Sequence, residues 1–202
     1  MLIDTSYRLL GVIPNSLLEP VIAACKQAHW TNGTYDRFEK PLAEGKLVEY
    51  PFPISKPVKN YTAEQSEILR SSVPLLDWIM SLQRFSGYKW IRGEVATLMP
   101  GVELGWHRDP QWFHDRCVRL HVPIITNTGC VQLWEGTEFH MEIGRLYELN
   151  NRILHSARNS GTEPRTHLIL DLMPELEWRT SREQNVNPVG LIDDQGSSSV
   201  SQ

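Results

Sequence analysis

Residues 165–174 read RTHLILDLMP, an apolar run with a guanidinium, an imidazole and a carboxylate set into it. Successive side chains of an extended segment point to opposite faces. Arg165, His167, Ile169 and Asp171 therefore share one face, and Thr166, Leu168, Leu170 and Leu172 share the other. One face is built to pack, and the other presents charge. A charge on the inner face of a barrel is costly unless it meets an opposite one.

The same texture runs back to residue 88. YKWIRGEVATLMP, CVRLHVPIIT, CVQLWEG, TEFHMEI and GRLYELN are short β-type segments separated by turn signals such as NTG. Closely spaced antiparallel strands of this kind predict a sandwich or barrel, and a double-sheet jelly roll is one such solution. Upstream, PNSLLEPVIAACKQAHW (14–30) places Leu17, Leu18, Val21, Ile22 and Cys25 at helical spacing behind an Asn15 or Ser16 cap. A second helix is expected after Thr62, which with Gln65 makes a capping-box pattern, and Pro74 should kink or split it. Helices first and strands afterwards make the class α+β, with the N-terminal helices packed on the outer sheet.

Residues 31–60, rich in Pro, Gly and charge, read as loop with short extended pieces, and they are placed to drape over the core. The tail from Gln184 to Gln202 has little to bury and is expected to be mobile. One domain, 1–183, with its β-core at about 88–174, is the expected organisation.

Net charge is −4, with Lys and Arg spread along the 202 residues, which argues against nucleic acid as the main partner. Cys25, Cys117 and Cys130 form no C-x-x-C pair and leave an odd thiol under any pairing, so they read as reduced and favour a cytoplasmic setting. The start MLIDTSYRLL lacks an uninterrupted apolar core, and no run approaches the roughly 18 apolar residues of a spanning helix.

In GWHRDPQW (105–112), His107 and Asp109 stand at i and i+2, so an imidazole and a carboxylate project to one side of an extended chain. Two histidines and a carboxylate on one face of an iron leave adjacent positions open for oxygen chemistry. His155, in NNRILHSARNSG, is the candidate third ligand, brought alongside from a distant strand. His140 and Glu142 repeat the spacing in FHMEIG, but they lie too close to His155 in sequence and read as ordinary polar positions of one strand face. Arg165 predicts an anionic ligand, for which a dicarboxylate cosubstrate is suited because the guanidinium fork matches a carboxylate. Arg119 and His121 alternate onto one face of CVRLHVPI and are candidates for its other carboxylate.

HRDP (107–110), RLHVP (119–123) and NNRILHSARN followed by RTHLILD together resemble the aspartyl/asparaginyl β-hydroxylase family of iron(II)- and 2-oxoglutarate-dependent oxygenases, over roughly residues 88–174. The resemblance implies a double-stranded β-helix in which His107 and His155 bind Fe(II), with Asp109 completing the triad as in the bacterial-type members. It implies that Arg165 grips the distal carboxylate of 2-oxoglutarate, with Arg119 and His121 near the end that chelates iron. It implies O2 as the second cosubstrate and hydroxylation of an unactivated carbon as the reaction. Trp106, Trp112, Phe113 and Trp134 are candidate walls, and for Trp134 a place in the core is favoured. The expected partner is a small molecule or peptide built of amino acids, its carboxylate held by one of Arg116, Arg152 and Arg158, with neither nucleic acid nor membrane involved. A cupin-like metalloprotein and a non-catalytic jelly-roll binding module remain the alternatives.

Overall fold

The computed structural model describes residues 3–28, 36–39, 63–109 and 116–183. In chain order it contains β1 (Tyr7–Val12), α1 (Asn15–Gln27), β2 (Asp36–Glu39), α2 (Ala63–Ser81), a 3₁₀ turn (Gln83–Phe85), β3 (Tyr88–Leu98) and β4 (Val118–Ile125). There follow β5 (Cys130–Trp134), β6 (Thr137–Phe139), β7 (Arg145–Leu149), β8 (His155–Asn159), β9 (Arg165–Pro174) and α3 (Glu175–Glu183). The tail from Gln184, most of the 31–60 segment, Thr62, His29, Trp112, Phe113 and His114 lie outside the described residues.

The strands form a six-stranded sheet in the order β1-β7-β4-β9-β3-β2 and a three-stranded sheet in the order β6-β5-β8. Bridges Glu103–Arg158 and His107–His155 lay the irregular segment 103–107 along the free side of β8. The chain thus passes from β3 in the large sheet to 103–107 beside the small one, to β4, to β5 and β6, to β7, to β8 and back to β9. Repeated crossing between two antiparallel sheets is the jelly-roll solution.

The alternation in RTHLILDLMP is realised across the large sheet. Leu168, Leu170 and Leu172 join Leu120 and Val122 of β4 in one buried cluster with Leu18, Val21 and Cys25 of α1 and Ile68, Leu75 and Ile79 of α2. Full burial of each such side chain contributes on the order of 1.5–3 kcal/mol. This packing places the helices on the outer face of the large sheet, as expected. The opposite face, carrying Arg119, His121, Arg165, His167 and Asp171, is left for the interior between the sheets, and all five are buried.

Several local expectations differ. The residue before α1 is Pro14, and no side chain caps that end; Asn15 and Ser16 already lie in the first turn. Helix α2 is assigned unbroken through Pro74, so it is not split. A proline inside a helix costs about 3 kcal/mol, and the buried Leu75, Leu76 and Ile79 just beyond it offset that by holding the helix on the sheet. Strand β1 and helix α3 carry too little apolar periodicity to be read beforehand. In α3, Leu176 is 77% exposed, and the contact with the sheet is made by Trp178, over which Lys89 Nζ sits 4.0 Å from the ring centroid.

Cys25, Cys117 and Cys130 are buried and form no disulfide, and burial pushes the Cys25 thiol up to about 12. Among the described residues no helix is long and apolar enough to cross a membrane.

Candidate metal centre

His107 and His155 face each other as an antiparallel pair. Each backbone N–H donates to the other's carbonyl at 2.9 Å, and the ring centroids are 4.4 Å apart. Two residues further on, the Asp109 N–H donates to the Asn151 carbonyl at 3.2 Å, which holds the carboxylate on the same side. Donor atoms of His107, Asp109 and His155 all lie within 4.8 Å of one another. The i, i+2 pair and the distant third histidine are thus brought together by strand pairing.

The donor set fits a divalent metal. Nδ1 of His107 lies 2.6 Å from the Gly105 carbonyl, and Nδ1 of His155 lies 2.9 Å from the Ile153 carbonyl. A carbonyl only accepts, so both Nδ1 atoms carry the proton and both Nε2 atoms keep the lone pair that a metal needs. Burial lowers the His155 pKa, which favours the neutral ligand form. Asp109 Oδ1 stands 3.9 Å from His107 Nε2, while Oδ2 accepts from Arg119 Nη1.

Arg119 is engaged differently from the sequence expectation. Its Nε and Nη2 donate to Asp171 Oδ1 and Oδ2, both at 2.8 Å, in a bidentate pair, and its Nη1 reaches Asp109. Burial opposes its charge, but Asp171 and Asp109 outweigh burial and raise its pKa. Behind Asp171 the pairing continues to Arg92 at 3.6 Å and from Arg92 to Glu94. Asp109, Arg119, Asp171, Arg92 and Glu94 form one interior chain of alternating charge. Removing one member of such a buried pair typically costs about 3–5 kcal/mol, because its partner is stranded. Arg119 is therefore a group that fixes Asp109, whatever else it meets in the cavity.

At the other end of β9, Arg165 Nη2 donates to Gln132 Oε1 at 3.4 Å and to His167 Nδ1 at 3.0 Å. His121 Nδ1 also lies 3.2 Å from His167 Nδ1, so the two rings cannot both be protonated there, and the Arg165 contact assigns the bare nitrogen to His167. Burial, then the nearby Arg165, lowers the pKa of both His121 and His167 well below 6.5.

This sets a stability prediction for the metal-free protein. With folded pKa values depressed and unfolded values near 6.5, the unfolded chain takes up protons that the native one refuses as pH falls. Stability is full above about pH 7 and declines below it. Between pH 7.5 and 5.5 the melting temperature should fall by several degrees, since each histidine contributes about 1 kcal/mol and each kcal/mol is worth about 2–4 °C at this size. Calorimetry across that window checks it; a flat profile would mean that these imidazoles titrate as in water.

One cavity connects these groups. Its lining includes the three candidate ligands together with Arg119, His121 and Arg165, all six of the expected site residues. It also includes Trp134, expected as a wall or core residue, and Glu94, Gln132, Asn150 and Asn151, none of which the sequence singles out. Glu94 and Arg92 were signalled only by polar alternation within YKWIRGEVATL. Trp134 combines the two roles considered for it, packing with Met141, Tyr147 and Leu149 while lining the cavity. Trp106 is 49% exposed beside a separate outer groove. His140 and Glu142 lie past the end of β6 and not on a strand face as expected; His140 is bonded through Nδ1 to the Cys130 carbonyl at 2.8 Å, and Glu142 pairs with Arg145 at 3.5 Å. The arginines considered for a substrate carboxylate sit elsewhere: Arg152 donates to the Ile3 carbonyl, Arg158 pairs with Glu138 at 3.3 Å, and Arg116 is exposed and outside the cavity lining.

A solved oxidoreductase of the 2OG-Fe(II) oxygenase family from Burkholderia pseudomallei matches with a TM-score of 0.54 at 14% identity, covering 85% of each chain. The viral collagen prolyl hydroxylase vCPH from Paramecium Bursaria Chlorella virus-1, solved as its 2OG complex, gives 0.51 at 12% identity over 84% of this chain and 96% of that one. At such identities these matches speak for the fold, and they agree with the two-sheet topology. The L-proline cis-4-hydroxylase of Rhizobium meliloti (strain 1021) is 35% identical over 104 residues, half of this chain and 35% of that protein's length. The sequence pattern of the Aspartyl/Asparaginyl beta-hydroxylase family matches residues 62–174, a span that holds the large sheet's central strands and all three candidate ligands. The chain belongs to that family.

Proposed function

We propose that the chain is an Fe(II)- and 2-oxoglutarate-dependent dioxygenase that hydroxylates an unactivated carbon of an amino acid, free or within a peptide. The observation that carries this reading is the pairing, in one cavity, of a histidine–carboxylate–histidine cluster with a buried arginine at the far end of the same strand system. When bound, Fe(II) supplies oxygen activation: O2 and 2-oxoglutarate are consumed, succinate and CO2 leave, and a C–H bond becomes C–OH.

His107, Asp109 and His155 are the proposed ligands, their Nε2 atoms presented by the carbonyls behind them and Asp109 held by Arg119. Arg165 is proposed to bind the distal carboxylate of 2-oxoglutarate, with His121 beside the chelating end and Arg119 there chiefly as the brace of Asp109. Gln132 and His167 orient the Arg165 fork. The walls exclude water, which strengthens each of these polar contacts. Residues 1–183 are proposed as one catalytic unit working in a reducing, cytoplasmic setting, in keeping with three buried cysteines that form no disulfide. The relative that acts on L-proline and the compact cavity favour a free or small amino-acid substrate.

The test is iron-dependent release of succinate from 2-oxoglutarate, with free amino acids and short peptides added in turn. Stimulation by an amino acid is the expected result. Failure to form succinate with iron present would leave a cupin-like or non-catalytic reading, and stimulation by nucleic acid or lipid alone would overturn the substrate class.

A further inference from the structure

We infer that the indole N–H of Trp134 and the side-chain amide of Asn151 form the subsite that binds an sp² oxygen of the substrate beside the carbon to be hydroxylated. That oxygen belongs to the carboxylate of a free amino acid or to the carbonyl of a peptide residue. The inference rests on the proposed function and adds what holds the substrate.

Trp134 and Asn151 are each 3% exposed, and both line the cavity onto which the three candidate ligands open. Neither Trp134 Nε1 nor Asn151 Nδ2 has a hydrogen-bond partner. A buried donor left unpaired costs about 1–3 kcal/mol, and both of these belong to side chains that line one cavity, so an acceptor that reaches them removes a standing cost. Trp90 Nε1 is also unpaired, but Trp90 packs in the cluster under the helices and does not line this cavity.

Placement ties the two donors to the metal end. Trp134 lies directly across from His155 in the β5–β8 register, and the Asn151 carbonyl accepts the Asp109 N–H. Arg165 belongs to the other end: it pairs in register with Leu98, whereas Asp171, at the level of Asp109's brace, pairs with Arg119. A cosubstrate reaching from Arg165 to the metal therefore leaves Trp134 and Asn151 to the second ligand.

The chemistry of the donors restricts that ligand. Indole can only donate, so its partner must be an acceptor. Tyr7 stacks on Trp134 with ring centroids 5.7 Å apart, which restrains the indole. Both donors are neutral, so they accept a charged or an uncharged oxygen alike, and Arg152 and Arg158, bonded elsewhere, add no charge beside them. A carboxylate and an amide carbonyl meet the same requirement.

The test loads wild type, Trp134→Phe and Asn151→Ala with Mn(II) and 2-oxoglutarate without oxygen and titrates L-proline and N-acetyl-L-prolinamide by calorimetry. Succinate assays with iron then give KM for substrate and cosubstrate separately. Each variant should weaken the probe that wild type binds by about tenfold, the worth of one hydrogen bond. Affinity for Mn(II) and for 2-oxoglutarate should stay within about twofold. Metal-free Trp134→Phe should melt lower only by what the smaller ring loses in packing, because the N–H has no protein partner to lose. Binding of L-proline identifies the carboxylate as the oxygen recognised, and binding of the amide identifies the carbonyl. Unchanged probe affinity in both variants, or a loss confined to 2-oxoglutarate, overturns the inference alone. A wild type that converts 2-oxoglutarate yet binds neither probe overturns it together with the amino-acid substrate, whereas absent iron-dependent turnover overturns the proposed function itself.

Discussion

His155→Ala is expected to reduce iron-dependent succinate formation by well over a hundredfold and to weaken metal binding in parallel. Loss of a partner behind a metal ligand already costs about 10–100-fold, and this substitution removes a ligand itself. The alanine retains the backbone pairing in which the 155 N–H and carbonyl bond to residue 107, so the jelly roll should persist. Circular dichroism and calorimetry separate loss of metal from loss of fold. A folded variant with wild-type turnover would remove His155 from the centre, and with it the antiparallel His107–His155 geometry as the basis of the site.

The second large effect is at the anion end. Arg165→Ala should raise KM for 2-oxoglutarate on the order of a hundredfold, since truncating one partner of a buried charged hydrogen-bonded pair costs about 2–5 kcal/mol. Arg165→Lys should fall between, because an ammonium keeps the charge without the planar fork. The same variants carry an internal control. Arg165 contributes to the lowered pKa of His121 and His167, so Arg165→Ala should also soften the loss of stability below pH 7. An unchanged KM would assign Arg165 to the interior hydrogen-bond network with Gln132 and His167 alone.

Much of the fold was legible because its signals are local. Alternation along 165–174 is a property of the strand itself, and the sheet places Leu168, Leu170 and Leu172 under the helices and Arg165, His167 and Asp171 inside. His107 and Asp109 were legible for the same reason, as two side chains on one side of an extended segment. Strand β1 and helix α3 were not legible, because β1 is defined by its pairing with β7 and α3 by a single tryptophan against the sheet. The α1 cap was misplaced by at least one residue, since Pro14 can start a helix with no side-chain bond.

In the site, the sequence could nominate residues but not their partners. For Arg119, charge and alternation mark only that the side chain is inward, where it lines the cavity, and not what it pairs with. Its neighbours are set by register: β4 on β9 brings it opposite Asp171, and the segment after His107 brings it Asp109. Asn151 gave no signal at all, and Trp134 stood out only as a wall or core aromatic, not as a hydrogen-bond donor. A neutral donor matters here only because burial leaves it without a partner, and burial at that point is a property of the closed sheets.

The most direct test is a crystal structure of the protein with Mn(II) and 2-oxoglutarate bound in the absence of oxygen. The predicted result is a metal held by Nε2 of His107, Nε2 of His155 and the carboxylate of Asp109, with the distal carboxylate of 2-oxoglutarate on Arg165. A metal held by another set of side chains, or 2-oxoglutarate placed away from Arg165, would contradict it.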